Sequence, residues 1–269
     1  MSRAFNRVFT FGCSFTNWMW PTWADILMYD QGVEGQNWGI NGAGNVCIFY
    51  RMIECDIKNK FTPDDLIVTL WSSWSREDRY LEHGWTNSGS IFHSYDRNFI
   101  EKYWNMKNDI IKNSSSIISA NKMFDIKVNG HMIPIDSFED SKNLDFSVDN
   151  NNPDNKEYIA LYQPHIPSDG IFPRAEFREI QQLVNDNHPD ILHHLEYLEN
   201  TVYPKLNSKI KKSTKEYYSD MHNSLVNFLK KYKEKKSGYT INQWDTDQWK
   251  MVNQFLKEHY NYDIVRLGM

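Results

Sequence analysis

The chain is built from blocks in which the spacing of hydrophobic residues changes between a strand pattern and a helix pattern. Short apolar runs bounded by turn residues indicate buried strands, and apolar residues three or four positions apart indicate helices. These patterns predict strands at 7–11, 66–71 and 124–133, and helices at 18–27, 46–57, 96–120, 190–206 and 214–236. The unbroken run LIVTLW at 66–71 is typical of a parallel strand that is buried on both faces.

The order of the first elements, strand-helix-strand-helix-strand, predicts an α/β fold with three α/β/α layers and a central parallel sheet. Residues 136–180 differ, because Asp, Asn, Ser and Pro dominate there with little periodicity. Loops of that length are often functional lids. We therefore expect an α/β domain at 1–207 with an irregular insertion at about 136–180. A C-terminal helical extension at 208–269 is expected to pack on that domain or on a neighbouring subunit, through aromatic residues such as Trp249.

Composition and charge narrow the classes of function. A net charge of -5 without a concentrated basic region argues against nucleic acid as the main partner. No stretch approaches the roughly 18 apolar residues of a membrane span, and no signal peptide is predicted. The three cysteines, Cys13, Cys47 and Cys55, are odd in number and have no CxxC spacing. They predict neither a disulfide framework nor a zinc site, and favour a cytoplasmic or virion-associated location.

The first candidate for chemistry is the sequence GCSFT at 12–16. Ser14 follows a predicted strand and a glycine, so it is expected at the carboxyl edge of the sheet, where open α/β folds place their sites. The start of the next helix would offer amide donors to a developing oxyanion. Two other interpretations remain open: Ser14 as a helix-capping serine, and Cys13 as the nucleophile of a thiol enzyme.

The second candidate is the glycine loop NWGINGAGN at 37–45. Glycine allows the backbone to approach a substrate closely, because no Cβ stands in the way. A plain tight turn is one alternative. A dinucleotide-binding loop is another, although the spacing here is G-x-x-G-x-G and not G-x-G-x-x-G.

The third candidate is the polar sequence WSSWSRED at 71–78, which follows the buried strand at 66–71. The hydroxyl groups of Ser72 and Ser73 and the guanidinium of Arg76 are candidate hydrogen-bond donors to an oxyanion. Trp71 and Trp74 could instead form the walls of an aromatic cleft.

The fourth candidate is DNHPDILHHL at 186–195, which opens a predicted helix. Serine catalysis requires a base and a carboxylate that orients it, and one short loop carries both in Asp186 and His188. Pro189 suits the first turn of the helix that follows.

Two alternatives to this pair remain open. One is a metal site formed by His188, His193 and His194, although adjacent histidines on a helix project about 100° apart. The other is a second D-x-H sequence, Asp220 to His222, which lies in a polar, lysine-rich region and is expected at the surface.

In this order the four motifs resemble the blocks of the SGNH (GDSL-type) serine hydrolases. GCSFT is similar to the family's GDS block with Cys13 in place of Asp, and the glycine loop is similar to its N-x-G-x-x-G block. The Asn of the family's third block, G-x-N-D, has no counterpart at 71–78. The last block is similar to D-x-H-P, with His194 at the position of a further family His. The resemblance spans residues 7 to about 206. The residues within the blocks are most similar to those of SGNH-type proteins from phages and other viruses.

The resemblance implies a flavodoxin-like SGNH fold with Ser14 as nucleophile, His188 as base and Asp186 as the carboxylate that orients it. The amides of Ser14 and Gly42 would form the oxyanion hole, with Ser73 or Arg76 as further donors. It implies a serine esterase that works through an acyl-enzyme and needs no metal or cofactor. The expected substrate is a small-molecule or carbohydrate ester, such as an O-acetyl sugar, or a lipid ester.

An alternative from another class is an SGNH-like protein with little or no turnover that serves as a binding or structural component, for example in a virion. The missing Asn of the third block favours this alternative, whereas the intact Ser, Asp and His favour the enzyme. Assembly into a homo-oligomer or a virion is compatible with either.

Overall fold

A computed structural model of the chain describes residues 5–82, 84–91, 95–128, 130–136, 157, 160–165, 179–184, 186, 188–235 and 246–262. Most of the predicted insertion at 136–180 therefore lies outside the described residues. Within them, no helix combines the length and the apolar character that crossing a bilayer requires.

A four-stranded parallel sheet confirms the α/β prediction in its coarse form. Its strands lie in the order β2-β1-β3-β6 and every neighbouring pair is parallel. The bounds are β1 Arg7–Phe11, β2 Glu34–Asn37, β3 Asp65–Trp71 and β6 Met132–Asp136. Every residue of β3 is buried, as its unbroken apolar run predicts. Two further strands, β4 Arg76–Leu81 and β5 Gly84–Ser90, pair with each other as an antiparallel hairpin.

Helices make up much of the remaining described chain. In chain order they are α1 Trp23–Gln31, α2 Asn45–Asn59, α3 Arg97–Tyr103, α4 Met106–Lys127, α5 Glu179–Val184, α6 Ile191–Tyr197, α7 Tyr203–Lys205, α8 Lys212–Lys235 and α9 Thr246–Tyr260. A π-helical segment, Leu198–Val202, joins α6 to α7. The helices predicted at 46–57, 190–206 and 214–236 are confirmed to within a few residues.

The first predicted helix was wrong at its start, since α1 begins at Trp23 and not at residue 18. Pro21 disfavours helical geometry at the residue before it. Thr22 then forms the N-terminal boundary, because its backbone N–H donates to the Asp25 carboxylate at 2.8 Å. The helix that follows Ser14 therefore begins nine residues beyond it in the chain, and the role of its amides as oxyanion donors stays a prediction.

The predicted strand at 124–133 was also wrong over its first half. Helix α4 continues to Lys127, and the strand is Met132–Asp136. Ile117, Ala120 and Phe124 are all buried on α4. These residues continue a helical stripe at intervals of three and four, so the apolar residues near 124 belong to the end of a helix. The helix predicted at 96–120 is in fact two helices, because Asn105 caps a new start by accepting from Asn108 N at 3.1 Å.

Strand β2 and the β4-β5 hairpin were not predicted. The sequence of β2, EGQN, contains no apolar residue. This strand pairs only with β1 among the described strands, and an edge strand needs no run of buried side chains. In the hairpin, the residues from Arg79 to Leu81 are exposed, so the alternation of a half-buried strand is absent.

The chain divides into two compact units. The sheet unit consists of Phe5–Thr16 and Glu34–Phe172, and the helical unit consists of Asn17–Val33 and Pro173–Leu267, apart from a few terminal residues. The sheet unit contains every strand described above, together with α2, α3 and α4. The helical unit contains α1 and the helices from α5 to α9. No boundary of this division falls at residue 207.

Within the sheet unit, the strand order places a topological switch point between β1 and β3. Strand β2, the next strand in the chain, lies on one side of β1, and β3 lies on the other. Open parallel sheets bind ligands just beyond the carboxyl ends of the two strands at such a point. The loops that follow Phe11 and Trp71 are therefore the part of the sheet unit where a site is expected.

Candidate functional site

Ser14 lies in a tight turn directly after β1. The turn is closed by a hydrogen bond from Thr16 N to the Cys13 carbonyl at 2.9 Å. Ser14 is only 5% exposed. Cys13 is fully buried as a free thiol. The serine thus occupies the switch point, while the thiol beside it is enclosed in the protein.

The glycine loop is fastened to the Ser14 turn by Asn37. The Asn37 side chain donates from Nδ2 to the Thr16 carbonyl at 2.7 Å and accepts from Gly39 N at 3.0 Å. A further hydrogen bond runs from Ile40 N to the Gly12 carbonyl at 3.1 Å. The first two sequence motifs are therefore neighbours in the sheet unit, and the buried amide of Asn37 connects them.

Gly42 has a backbone conformation that explains why a glycine stands there. Its φ is 74°, in the left-handed region, within a turn closed by Ala43 N donating to the Ile40 carbonyl at 3.2 Å. The structure thus places Gly42 on the loop beside the Ser14 turn. Its role as an oxyanion donor stays a prediction.

The loop after β3 is held by two buried asparagines that the sequence analysis did not single out. Asn45 pairs with the peptide of Ser72, since its Oδ1 accepts from Ser72 N at 2.7 Å and its Nδ2 donates to the Ser72 carbonyl at 2.9 Å. Asn113 Nδ2 donates to the Trp74 carbonyl at 3.1 Å. Asn45 Nδ2 also donates to Asn113 Oδ1 at 3.0 Å, which joins the two side chains.

The two side chains predicted as further oxyanion donors differ in their surroundings. The Ser73 hydroxyl lies 3.1 Å from the Ser75 hydroxyl, so it takes part in a hydrogen bond inside its own loop. Arg76 opens β4, and its Cβ would be 2.9 Å from a Cβ added at Gly44. Both residues lie in the sheet unit, and their roles as donors remain predictions.

Asp78 on the hairpin caps helix α2. Its carboxylate accepts from Gly44 N at 2.7 Å and from Cys47 N at 2.9 Å, which are donors in the first turn of the helix. Burial raises the pKa of this carboxyl, while the two amide hydrogen bonds and nearby Lys112 lower it. The cap comes from a residue 34 positions along the chain from Gly44, so no local capping motif indicates it.

Replacing Asp78 by Ala will lower the free energy of unfolding by about 1–2 kcal/mol, because the start of α2 loses the acceptor for two amides. Urea unfolding followed by circular dichroism measures the change. The matched control is Glu82→Ala, which removes an exposed carboxylate from the turn of the same hairpin. Equal midpoints for the two variants would contradict the capping role.

In the helical unit, Asp186 and His188 form the carboxylate–imidazole pair that the D-x-H-P sequence predicts. His188 Nδ1 lies 2.6 Å from Asp186 Oδ1, and the His188 backbone N–H donates to the same oxygen at 2.8 Å. Asp186 is 1% exposed. Because an ionised carboxylate only accepts, this geometry fits a proton on Nδ1 and a lone pair on Nε2.

Two tryptophans and a glutamine hold the pair within the helical unit. Trp18 donates from Nε1 to Asp186 Oδ2 at 3.0 Å and stacks its ring on the His188 imidazole. Trp20 donates to the Pro189 carbonyl at 2.8 Å, and Gln181 Nε2 donates to the His188 carbonyl at 3.0 Å. No local sequence motif indicates these contacts, and both tryptophans lie more than 160 positions from their partners in the chain.

Behind this loop lies a buried cluster of histidines around Asp190. The Asp190 carboxylate accepts from His193 N at 3.0 Å, and His222 Nε2 lies 3.4 Å from its other oxygen. Hydrogen bonds and ion pairing with these histidines hold the pKa of Asp190 well below its usual value in spite of burial. The cluster therefore stabilises the start of α6, immediately after the Asp186–His188 loop.

The structure also describes the residues of the two alternatives to the Asp186–His188 pair. His222 is buried, and it is not the exposed residue that the sequence indicated. Its neighbour in the second D-x-H sequence, Asp220, instead accepts from the Tyr260 hydroxyl at 3.0 Å. Among the residues that the structure describes, no group of three or more His, Cys, Asp or Glu side chains is arranged to hold a metal ion.

Acidification will destabilise the protein through His194. This side chain is fully buried, and burial lowers its pKa from 6.5 to about 3, with Asp190 opposing this effect and the neighbouring His193 and His188 adding to it. Below about pH 6.5 the unfolded chain therefore binds a proton at His194, whereas the folded chain does not until about pH 3. The folded state is thus favoured above pH 6.5, and this contribution to stability is lost as the pH falls towards 3. The slope is up to about 1.4 kcal/mol per pH unit.

Urea unfolding at pH 7, 5.5 and 4 measures this slope. We expect a smaller slope for His194→Phe, because phenylalanine does not titrate. The difference in bound protons between the unfolded and the folded chain should fall by about one. The control is His165→Phe, which replaces an exposed histidine. An unchanged slope in His194→Phe would exclude His194 as the source of acid sensitivity.

The structure thus assembles the predicted site residues in two groups. Ser14, Gly42, Ser73 and Arg76 belong to the sheet unit, and Asp186 and His188 belong to the helical unit. Comparisons of the chain with protein-family models, with curated proteins and with solved structures found no match.

Proposed function

We propose that this protein is a serine esterase in which Ser14 is the nucleophile, His188 the general base and Asp186 the carboxylate that orients it. The observation that carries the proposal is the 2.6 Å contact between His188 Nδ1 and the buried Asp186 Oδ1. A carboxylate at this position keeps the proton on Nδ1, so that Nε2 is able to accept one. The place of Ser14 at the switch point of a parallel sheet supports the assignment of the nucleophile.

In the proposed reaction, His188 Nε2 takes the proton of the Ser14 hydroxyl as Ser14 Oγ attacks the ester carbonyl. The tetrahedral intermediate collapses when the carbon–oxygen bond to the alcohol breaks, and the imidazolium returns the proton to the leaving alcohol. Water then attacks the acyl-enzyme while His188 Nε2 accepts its proton. When the bond between the acyl carbon and Ser14 Oγ breaks, the imidazolium returns that proton to Ser14 Oγ, and the carboxylic acid is released.

The amides of Ser14 and Gly42 are proposed as the donors to the oxyanion of each intermediate. Arg76 is a further candidate, and so is the Ser73 hydroxyl, which lies 3.1 Å from the Ser75 hydroxyl. The four-stranded order β2-β1-β3-β6 supports a three-layer fold of the SGNH type as part of the same proposal. An O-acetylated carbohydrate or a lipid ester is the proposed substrate class.

Fluorophosphonate labelling and release of p-nitrophenol from p-nitrophenyl acetate test this proposal. We expect the intact protein to release p-nitrophenol and to carry one phosphonyl adduct on the peptide containing Ser14, and we expect Ser14→Ala to lose both signals. Cys13→Ala is the matched control, because it changes the adjacent side chain and should retain both. An intact protein with neither signal would refute the esterase, and would leave the binding or structural role of the same fold as the better account.

A further inference from the structure

Trp18 contacts both members of the Asp186–His188 pair at once. Its indole Nε1 donates to Asp186 Oδ2 at 3.0 Å, so the carboxylate is shared between the imidazole on one oxygen and the indole on the other. Its ring lies against the His188 ring with centroids 3.4 Å apart and an angle of 19° between the planes. One side chain thus fixes the direction of the carboxylate and one face of the base.

The position of Trp18 is itself defined by its surroundings in the helical unit. It is 5% exposed, and Trp249 packs edge-on against it with centroids 5.0 Å apart. Trp20 also lies edge-on to it, with centroids 6.4 Å apart. A large planar side chain held on several sides has few rotamers open to it, so it can act as a rigid support for a smaller ring.

These contacts match what a general base needs during acyl transfer. The imidazole becomes a cation when it takes the proton of the nucleophile, and the face of an indole ring attracts a cation. The indole N–H restrains the carboxylate, which in turn restrains the imidazole about its Nδ1–H bond. Both effects act through His188 and Asp186, since Trp18 itself exchanges no proton.

We propose that Trp18 is a positioning residue for the Asp186–His188 pair, acting through its indole N–H and through the face of its ring. This inference rests on the proposed function for its catalytic consequence. It predicts that loss of Trp18 lowers kcat and leaves KM nearly unchanged, because a misplaced base affects the transition state more than substrate binding.

The first arm of the test is kinetic and compares Trp18→Phe with Trp18→Leu. Phenylalanine keeps an aromatic face but loses the N–H donor, whereas leucine loses both. We expect kcat for p-nitrophenyl acetate to fall less than about 10-fold in Trp18→Phe and about 100-fold in Trp18→Leu, which is the size of effect that misplacing a catalytic group by about 1 Å produces. The matched control is Trp104→Phe, which removes an indole N–H that donates to the Asp109 carboxylate at 2.8 Å in the sheet unit.

The second arm is independent of turnover and uses proton NMR of the His188 imidazole, assigned with a His188→Gln variant. The current in the Trp18 ring shifts the carbon-bound ring protons of His188 upfield. We expect that shift to persist in Trp104→Phe, to shrink in Trp18→Phe and to vanish in Trp18→Leu. Thermal unfolding of each variant shows that the fold is retained under the conditions of measurement.

The outcomes separate this inference from the proposed function. If the intact protein hydrolyses no ester and Ser14 takes no label, the proposed function fails, and the NMR arm alone decides whether Trp18 fixes His188. An unshifted His188 in the intact protein overturns the inference. So does a folded Trp18→Leu whose kcat equals that of the intact protein, or a fall in kcat that Trp104→Phe reproduces.

Discussion

Replacing Asp186 by asparagine is expected to lower kcat for the proposed ester hydrolysis by about 10⁴-fold while the protein stays folded. Three N–H groups converge on the Asp186 carboxylate, namely the His188 amide, His188 Nδ1 and Trp18 Nε1. Asparagine has only one acceptor oxygen for them. If that oxygen faces His188, the amide NH₂ meets the indole N–H and expels it. If the NH₂ faces His188, it donates to Nδ1, and the imidazole proton moves to Nε2, where it blocks the base.

Steady-state hydrolysis of p-nitrophenyl acetate measures this loss, with thermal unfolding as the check on folding. The matched control is Asp220→Asn, which makes the same change in the second D-x-H sequence, where the carboxylate accepts from the Tyr260 hydroxyl. That control should retain its kcat. If folded Asp186→Asn has a kcat within about threefold of the parent, Asp186 has no part in the mechanism, because the base would then work without a carboxylate that keeps its proton on Nδ1.

Replacing Gly12 by alanine will lower the free energy of unfolding by about 3 kcal/mol, enough to leave a marginal domain partly unfolded. A Cβ at this position would lie 2.0 Å from Thr16 Oγ1 and 3.0 Å from the Leu70 carbonyl oxygen. Its φ of 159° is also one that side-chain-bearing residues rarely adopt. The cost is therefore steric, and it falls on the turn that carries Ser14.

Chemical denaturation of Gly12→Ala and of two companion variants tests this explanation. Gly32→Ala is the matched control: Gly32 has a φ of 67° and open space around its missing Cβ, so it should cost only about 1 kcal/mol of backbone strain. Adding Thr16→Ala to Gly12→Ala removes the closest clash and should recover part of the lost stability. If Gly12→Ala is no more destabilising than Gly32→Ala, the steric account is wrong.

The parts of the fold that the sequence predicts are those whose signals are local. Strand β3 is an unbroken apolar run, and α2 has apolar residues at helical intervals, so each matches its own pattern without reference to the rest of the chain. The same holds for Asp186 and His188, which are two residues apart and followed by a proline. A base and its carboxylate on one loop need no tertiary information to be proposed.

The remaining features depend on residues far apart in the chain, and no local pattern contains them. Asp78 caps a helix that begins more than thirty residues earlier, and Trp18 reaches Asp186 across 168 positions. Strand β2 is polar and carries no apolar pattern, and its place in the sheet is defined by its pairing with β1. Tertiary contacts, and not the local preference of the sequence for helix or strand, determine these three features.

The cap on α2 has a consequence for how negative charge can be held beside the glycine loop. The start of a helix normally attracts anions through its aligned dipoles and unpaired amides. At α2 the Asp78 carboxylate already occupies the Gly44 and Cys47 amides, so the field of that helix end is largely neutralised from within the chain. The oxyanion proposed near Ser14 would then rely on hydrogen bonds from single loop amides, or from Arg76, and not on the field of α2.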